Sequence, residues 1–334
     1  MKQERKHEPA EEDVRLVKDV DQSSLYRIAG VPVHFPFNPY ASQLDMMSHM
    51  IHALNRSQNS MLESPTGSGK SLALLCAALG WRKNFTAKLR LSRINVRNVA
   101  MRYSQRTSAS PQPLTEKNST DNGSGRPDVS TKALPHIVDR ILYEAANGKI
   151  PAGLDKSDLD ALRDYQQNYA HIKHPPTIYF GSRTHKQVSQ LVRELRDKTP
   201  YRVAMAVLGS RKQECIHPSA RKASSVDEAC NELRVGGKCE YLGNYRKLVA
   251  DESIAPGGKN EIWDIEDIVS LGKSANACPY YASHELAKTA ALVFCPYNYI
   301  VDPIVRSAVK ISLDDNIVIL DEAHNIEGAT RDAA

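Results

Sequence analysis

Apolar residues in this chain follow two different rhythms. Leu44, Met47, Ile51 and Leu54 recur at helical spacing behind a helix start at Ser42-Gln43-Leu44, and Val188, Leu191, Val192 and Leu195 repeat the pattern later. Between such stretches 177–180 and 203–208 read as short strands, and 290–294 and 317–320 as continuous apolar runs. Runs of that kind are buried on both faces of a parallel sheet. Met61-Leu62 reads as one more short strand, and residues 72–79 as an apolar helix after it. Strands alternating with helices predict a doubly wound α/β core. No internal repeat interrupts this order.

The rhythm fails in three places. Residues 1–23 are mixed in charge and poor in apolar side chains, and read as a flexible tail. Residues 31–40 are extended and Pro-rich, and should pack Phe35, Phe37 and Tyr40. From Arg82 to Arg106 eight Lys/Arg residues occur with no acid among them, and 104–131 is a low-complexity stretch of Ser, Thr, Pro, Asn and Gly that predicts disorder. The basic run suits a nucleic-acid contact, a localisation signal or a plain solvated insertion. Helical spacing returns within the insertion at Ile137, Val138, Ile141 and Leu142, and again over 159–169.

Composition narrows the classes. The 334 residues allow about two domains, and 41% hydrophobic content supports a sizeable core. A formal charge of +5 is compatible with a nucleic-acid partner. No apolar run approaches the roughly 20 residues of a membrane span, and residues 1–8 offer no apolar core for a signal peptide. The chain therefore reads as soluble and intracellular, which makes its six cysteines thiols or metal ligands sooner than disulfides.

The densest chemistry lies at Glu63-Ser64-Pro65-Thr66-Gly67-Ser68-Gly69-Lys70-Ser71. Strand, glycine-containing loop ending in Gly-Lys-Ser, then helix is the layout of a phosphate-binding loop. Gly67 and Gly69 let successive N–H groups turn toward anionic oxygens, and the helix dipole points the same way. Lys70 is placed for the β- and γ-phosphates, and Ser71 for Mg²⁺. The first position of the pattern is usually Gly and is Ser64 here. The plain alternative is a turn that caps a core helix. A second cluster ends the last apolar run, at Asp321-Glu322-Ala323-His324. Asp321 is placed to hold Mg²⁺ and Glu322 to orient and deprotonate a water; the alternative is a pair of helix-capping acids.

Cys215, Cys230, Cys239 and Cys278 are separated by 14, 8 and 38 residues, so no Cys-x-x-Cys pair supports a zinc ribbon. Four separated thiolates are compatible with one [4Fe–4S] cluster stapling a small domain, and equally with unrelated buried thiols. Cys76 and Cys295 sit in apolar runs and read as core thiols. His217 is a further conceivable ligand.

The Asp-Glu-Ala-His box resembles that of the DEAH-type superfamily 2 helicases. The loop 63–71 resembles motif I of their iron–sulfur branch, typified by the XPD helicase, where Ser64 is normal. Ser182-Arg183-Thr184-His185 is similar to motif Ia of that branch, and Cys278-Pro279-Tyr280-Tyr281-Ala282 and Cys295-Pro296-Tyr297-Asn298-Tyr299 are also similar to it. Residues 35–43, 71–76, 179–187 and Trp263-Asp264-Ile265-Glu266 look most like the Fanconi anaemia group J subgroup. The likeness covers about 28–82 and 175–333.

The resemblance implies a RecA-like P-loop NTPase lobe, a parallel sheet with helices on both faces, carrying an inserted iron–sulfur domain. The expected parts are a tail at 1–23, lobe segments at 24–82, 172–210 and 285–334, an insertion at 83–171 and the cluster domain at 211–284. It further implies an ATP-dependent DNA helicase moving 5′→3′ on single-stranded DNA in nuclear repair. ATP, Mg²⁺ and a [4Fe–4S] cluster would be its cofactors. Lys70, Asp321, Glu322 and His324 would serve catalysis, Gln43 would face the adenine, the four cysteines would hold the cluster, and Ser182, Arg183, Thr184 and His185 would meet single-stranded or forked DNA. Repair proteins are expected partners. A second lobe bearing an arginine finger is expected beyond Ala334, so these residues alone should bind Mg-ATP weakly and turn it over slowly. The competing reading is a nucleotide- and DNA-binding piece without catalysis; a small-molecule P-loop kinase would need neither the cysteines nor the Asp-Glu-Ala-His box.

Overall fold

The computed structural model describes residues 14–17, 24–65, 67–107 and 134–331. The chain divides into two compact units, residues 1–82 with 176–334, and residues 83–175.

The first unit opens with an antiparallel sheet, β1 (Val14–Val17), β2 (Ser24–Ile28) and β3 (Val31–Phe35), in that order. β1 lies within the stretch expected to be a tail and adds a third strand to the hairpin of β2 and β3. The rest of that tail lies outside the described residues. Phe35 is buried, whereas Phe37 and Tyr40 are 50% and 71% exposed, against the expectation that both pack. β3 ends at Phe35, so the alternation that turns side chains inward ends with it. Helix α1 (Ala41–Asn55) follows and buries Gln43, Met46, Met47, Met50 and Ile51, which leaves Leu44 and Leu54 half-buried at the margins of the face.

Residues 58–65 form no strand. Met61 is 97% exposed, and no described strand pairs with Met61-Leu62. Two apolar residues flanked by Gln58-Asn59-Ser60 and Glu63-Ser64 bury too little to hold an unpaired strand. Helix α2 (Lys70–Thr107) begins within the loop 63–71 and runs for 38 residues. Its first turns bury Leu72, Leu75, Cys76 and Leu79.

The central sheet is parallel, with strand order β5-β6-β4-β7, formed by β4 (Ile178–Ser182), β5 (Met205–Val207), β6 (Leu292–Pro296) and β7 (Ile317–Leu320). β4 lies between β6 and β7, with Ile178 opposite Leu292 on one side and Ile317 on the other. All five of its residues are buried. Phe180 and Phe294 meet across the ladder with ring centroids 5.7 Å apart. β7 is an outer strand and alternates, with Val318 37% exposed, so the continuous apolar run 317–320 is not covered on both faces. Helix α5 (His185–Lys198) covers the sheet through Val188, Leu191, Val192 and Leu195. Between β5 and β6 every described element is helical: α6 (Arg211–Glu214), α7 (Pro218–Lys222), α8 (Val226–Val235), α9 (Tyr245–Val249), α10 (Ile265–Ser274) and α11 (Pro279–Ala287), with one 3₁₀ turn at Leu242–Asn244.

The second unit consists of the distal part of α2 with α3 (Leu134–Ala146) and α4 (Lys156–Asn168). Val96, Val99, Ala100 and Tyr103 pack with Val138, Ile141, Leu159 and Leu162 into a core of their own. The basic run, for which the sequence predicted no element, is helix, and 104–107, expected to be disordered, continue it; the remainder of the low-complexity stretch lies outside the described residues. Asp155 caps α4 by accepting from the Asp158 N–H at 2.9 Å.

Phe294→Ala should lower stability by about 3–5 kcal/mol, because the paired ring of Phe180 prevents collapse into the space left. Denaturant unfolding checks this; a loss under about 1 kcal/mol would mean that the sheet is not packed through this pair.

Candidate nucleotide site and cysteine-lined pocket

The loop 64–71 is held by short-range bonds. Gly67 and Gly69 adopt φ of 78° and 70°, the left-handed conformation that glycine takes without strain. The Ser64 and Ser68 hydroxyls lie 2.9 Å apart, so the residue that replaces the usual Gly closes the loop. Gln43 braces it from outside. Its Nε2 donates to the Ser68 carbonyl at 2.7 Å, and its Oε1 accepts from the Tyr40 N–H at 2.9 Å. A Cβ on Gly69 would stand 2.7 Å from Gln43 Nε2, so a larger residue there would displace the glutamine amide in addition to straining φ. Lys70 Nζ lies over the loop, 3.2 Å from the carbonyls of Ser64 and Pro65. Thr66 lies outside the described residues.

The acidic cluster meets this loop across the sheet. The Asp321 N–H donates to Gly181 O at 3.0 Å, so the ladder of β7 on β4 carries one step past β7 and sets the acid. The Ser71 hydroxyl then donates to Asp321 Oδ2 at 2.5 Å. Asp321 is 4% exposed, and burial is the main cause that raises its carboxyl above the ordinary range; Ser71 and Lys70 oppose the shift. Glu322 stands at φ 56° and ψ 42°, a left-handed conformation that costs a non-glycine residue about 1 kcal/mol or more. It brings Glu322 Oε1 within 3.9 Å of Lys70 Nζ. His324 is mostly exposed, with Nδ1 3.5 Å from Glu322 Oε2. Gly69, Ser71, Asp321 and Glu322 share a cleft of about 220 Å³ with Gln187, Gln190 and Glu194 of α5. A hydroxyl, a carboxylate and an ammonium converging beside a helix N-terminus suit a metal-bound polyphosphate.

Two residues that hold this site were given no role by the sequence, although both lie in stretches that resemble the family and Gln187 completes a capping box with Thr184. The buried Tyr297 hydroxyl donates to the Asp321 carbonyl, and burial pushes its phenol up to about 12. Gln187 Oε1 accepts from Ser182 Oγ at 2.9 Å and from the Thr184 N–H at 3.2 Å. Those bonds alter the expectation for Ser182-Arg183-Thr184-His185. Ser182 is fully buried and His185 partly so, with burial lowering its imidazole; only Arg183 and Thr184 are exposed. Thr184 caps α5, and Arg183 donates to Asn325 Oδ1 at 3.1 Å.

Cys215, Cys230, Cys239 and Cys278 line one pocket, together with Ile216, Leu233 and Tyr281. Cys215 ends α6, Cys230 lies in α8, Cys239 follows that helix and Cys278 caps α11. The Cys278 N–H donates to the Tyr241 carbonyl at 3.0 Å, which ties the loop of Cys239 to α11. Burial pushes the Cys278 thiol up to about 12, and the other three sulfurs add to it. Among the described residues no three or more Cys, His, Asp or Glu stand close enough to hold a single metal ion. One zinc would need every sulfur within about 2.3 Å of a common point. His217 caps α7 through its ring nitrogen and faces the ring of Tyr241, so it is a structural neighbour of the pocket. Cys76 and Cys295 are fully buried elsewhere in the core.

Glu214, beside Cys215, also escaped sequence reasoning. It is fully buried, accepts from the Gly209 N–H at 2.6 Å, and is pushed up to about 8 by burial. Tyr299 donates to the Gly209 carbonyl at 2.8 Å, so the knot anchors the first cysteine to the sheet. A Cβ on Gly209 would stand 2.5 Å from Glu214 Oε1.

Comparison with known proteins agrees with this chemistry. The family DEAD_2 matches residues 180–334. The Fanconi anemia group J protein homolog of Gallus gallus is 30% identical over 93% of this chain and 33% of its own length. Regulator of telomere elongation helicase 1 homologs of Drosophila persimilis and Oryza sativa subsp. japonica are 36% and 34% identical, over 92% and 93% of this chain and 26% of their own lengths. The chain thus spans a quarter to a third of the length of these relatives, and the matches extend to both kinds of helicase. Two solved structures, an XPD helicase and a truncated XPD, are 19% identical with TM-scores of 0.33 and 0.34; they cover 47% and 57% of this chain, which spans 26% and 53% of theirs. Residues 180–334 thus match the DEAD_2 family, and the chain is similar to a Fanconi anemia group J protein homolog and to regulator of telomere elongation helicase 1 homologs.

Proposed function

We propose that this chain is the nucleotide-binding part of an ATP-dependent DNA helicase. The observation that carries the reading is the bond from Ser71 to Asp321, which joins the end of the phosphate loop to an acid 250 residues later. A hydroxyl and a carboxylate in contact are the pair that holds Mg²⁺ on ATP in P-loop enzymes. Bound Mg²⁺ would neutralise charge on the phosphates. Lys70 would leave the carbonyls of Ser64 and Pro65 for the β- and γ-phosphates. Glu322 would take a proton from the attacking water, with His324 beside it. Gln43 is proposed as a brace of the loop, since both ends of its amide are engaged and it is 6% exposed. The adenine contact expected of it would require those bonds to break.

Arg183 and Thr184 are proposed to meet the sugar–phosphate backbone of single-stranded DNA from the start of α5, a contact blind to sequence. The region 211–284 is proposed as a small domain in which Cys215, Cys230, Cys239 and Cys278 hold a [4Fe–4S] cluster, which joins helices with little core of their own. Movement 5′→3′, a nuclear setting and work in DNA repair with protein partners complete the reading; they rest on the family resemblance. DNA-stimulated ATP hydrolysis tests it. Turnover that does not respond to DNA would overturn the helicase reading, and nucleotide binding without any turnover would favour the non-catalytic alternative.

Three outcomes follow from the site. Lys70→Ala should weaken Mg-ATP binding by roughly 10- to 100-fold, the loss of one charged hydrogen-bonding partner; equilibrium titration with a fluorescent nucleotide measures it. Gln43→Ala should weaken ATP and GTP alike, by about tenfold. Loss confined to ATP would restore the adenine contact. Cys230→Ser should lose iron and visible absorbance; a wild-type protein that holds zinc and is colourless would exclude the cluster.

A further inference from the structure

The chain's positive charge is not spread along it. Residues 83–175 hold fifteen Lys/Arg against nine Asp/Glu, a net of +6, so the rest of the chain, whose total is +5, carries −1. Within this second unit the asymmetry sharpens again. Helix α2 contains no acidic residue in its 38 positions. The described acids of the unit serve elsewhere. Asp158 pairs with Arg102, Glu144 with Arg140 and Asp160 with Arg163. Asp139 accepts from Gln166, Asp164 from Asn168, and Asp155 caps α4. Arg93 is turned to the carbonyls of Ile172 and Lys173.

Lys83, Lys88 and Arg90 remain exposed, and none of them forms an ion pair among the described residues. Lys83, Arg90 and the exposed Arg97 recur every seven residues, so they share one face at intervals of roughly 10 Å. Leu91 and Ile94 stand among them, 59% and 50% exposed, although apolar residues at α2's other positions are buried at Leu89, Val96, Val99 and Tyr103. An exposed, acid-free row of cations on a rigid helix with apolar side chains between is an electrostatic footprint for a polyanion. No aromatic ring lies on the row, so bases would find nothing to stack on, and the contact would be with phosphates.

We infer that the face of α2 carrying Lys83, Arg90 and Arg97 is a second DNA-backbone surface, made by residues other than Arg183 and Thr184. The inference rests on the reading that this protein works on DNA. It adds a sequence-independent hold that depends steeply on salt.

The test is binding of a fluorescent oligo-thymidylate strand to the whole chain across a salt series. The variants are K83Q/R90Q/R97Q and a matched loss of three charges elsewhere on the unit, K149Q/K156Q/K173Q. Glutamine keeps helix propensity, and circular dichroism and nucleotide affinity verify that each variant is folded. The first variant should bind at least about tenfold more weakly at low salt, with the slope of log Kobs against log salt smaller by about two. The matched variant should stay near wild type. Equal behaviour of the first variant and wild type would overturn the inference and leave the helicase reading standing. Equal losses in both variants would replace this face with diffuse charge. A wild-type chain that binds no DNA would overturn the inference and the helicase reading together. Charge-dependent binding to phosphatidylserine vesicles in place of DNA would assign the face to a membrane surface and overturn it as well.

Discussion

The candidate nucleotide site depends on strand β4 being paired on both sides. Its ladder with β7 runs on past Leu320 to the bond from Asp321 N to Gly181 O, and so decides where the acid stands. Its ladder with β6 carries on to the bond from Tyr297 N to Ser182 O, which places the tyrosine whose hydroxyl holds the Asp321 carbonyl. Glycine at 181 is part of the same constraint, because a Cβ there would meet Ile300 Cδ1 at 2.8 Å and Leu320 Cδ2 at 3.2 Å. One strand thereby fixes the acid, the residue that supports it and the turn that opens α5. A change of register by one residue would move all three and turn every side chain of the strand to the opposite face.

The loop 64–71 is governed by a different rule. Its contacts are nearly all local, from Ser64 to Ser68, from Lys70 to two carbonyls, and from Gln43 to Ser68. Local chemistry of this kind is written in neighbouring residues, so the loop could be read as a unit from 63–71, whereas the contact of Ser71 with Asp321, 250 residues on, needs the fold. Ser64 gains its meaning only with the coordinates, as one half of a pair of hydroxyls. Tyr297, Gln187 and Glu214 were not legible, because each acts on a partner chosen by packing: a backbone carbonyl 24 residues away, a buried serine, a glycine at the end of β5.

The errors of sequence reading also have physical causes. Met61-Leu62 resembled a strand because two apolar residues preceded a recognisable loop, but a strand exists through its pairing, and none is made. The basic run was read as a solvated insertion with no element of its own because its average composition is polar. The discriminating signal was available: residues 81–110 contain neither Pro nor Gly, and Leu89, Val96, Val99, Ala100 and Tyr103 recur at helical intervals. Charge density hid periodicity. The two properties answer different questions, one about what the helix buries and the other about what it shows to solvent.

The bond between Ser71 and Asp321 has a consequence for how the molecule comes into being. Its ends are 250 residues apart, and synthesis at about 5–20 residues per second separates their appearance by roughly ten seconds or more. During that interval the phosphate loop can close on itself, since its own bonds are short-range, but it has no acid to complete it. The parallel sheet in between consists of non-local pairings, which form slowly. The nucleotide site is therefore among the last features of the first unit to mature. ATP bound there would stabilise only chains whose β4 and β7 have already found each other, and so would act on the folding equilibrium as a late clasp on the finished sheet.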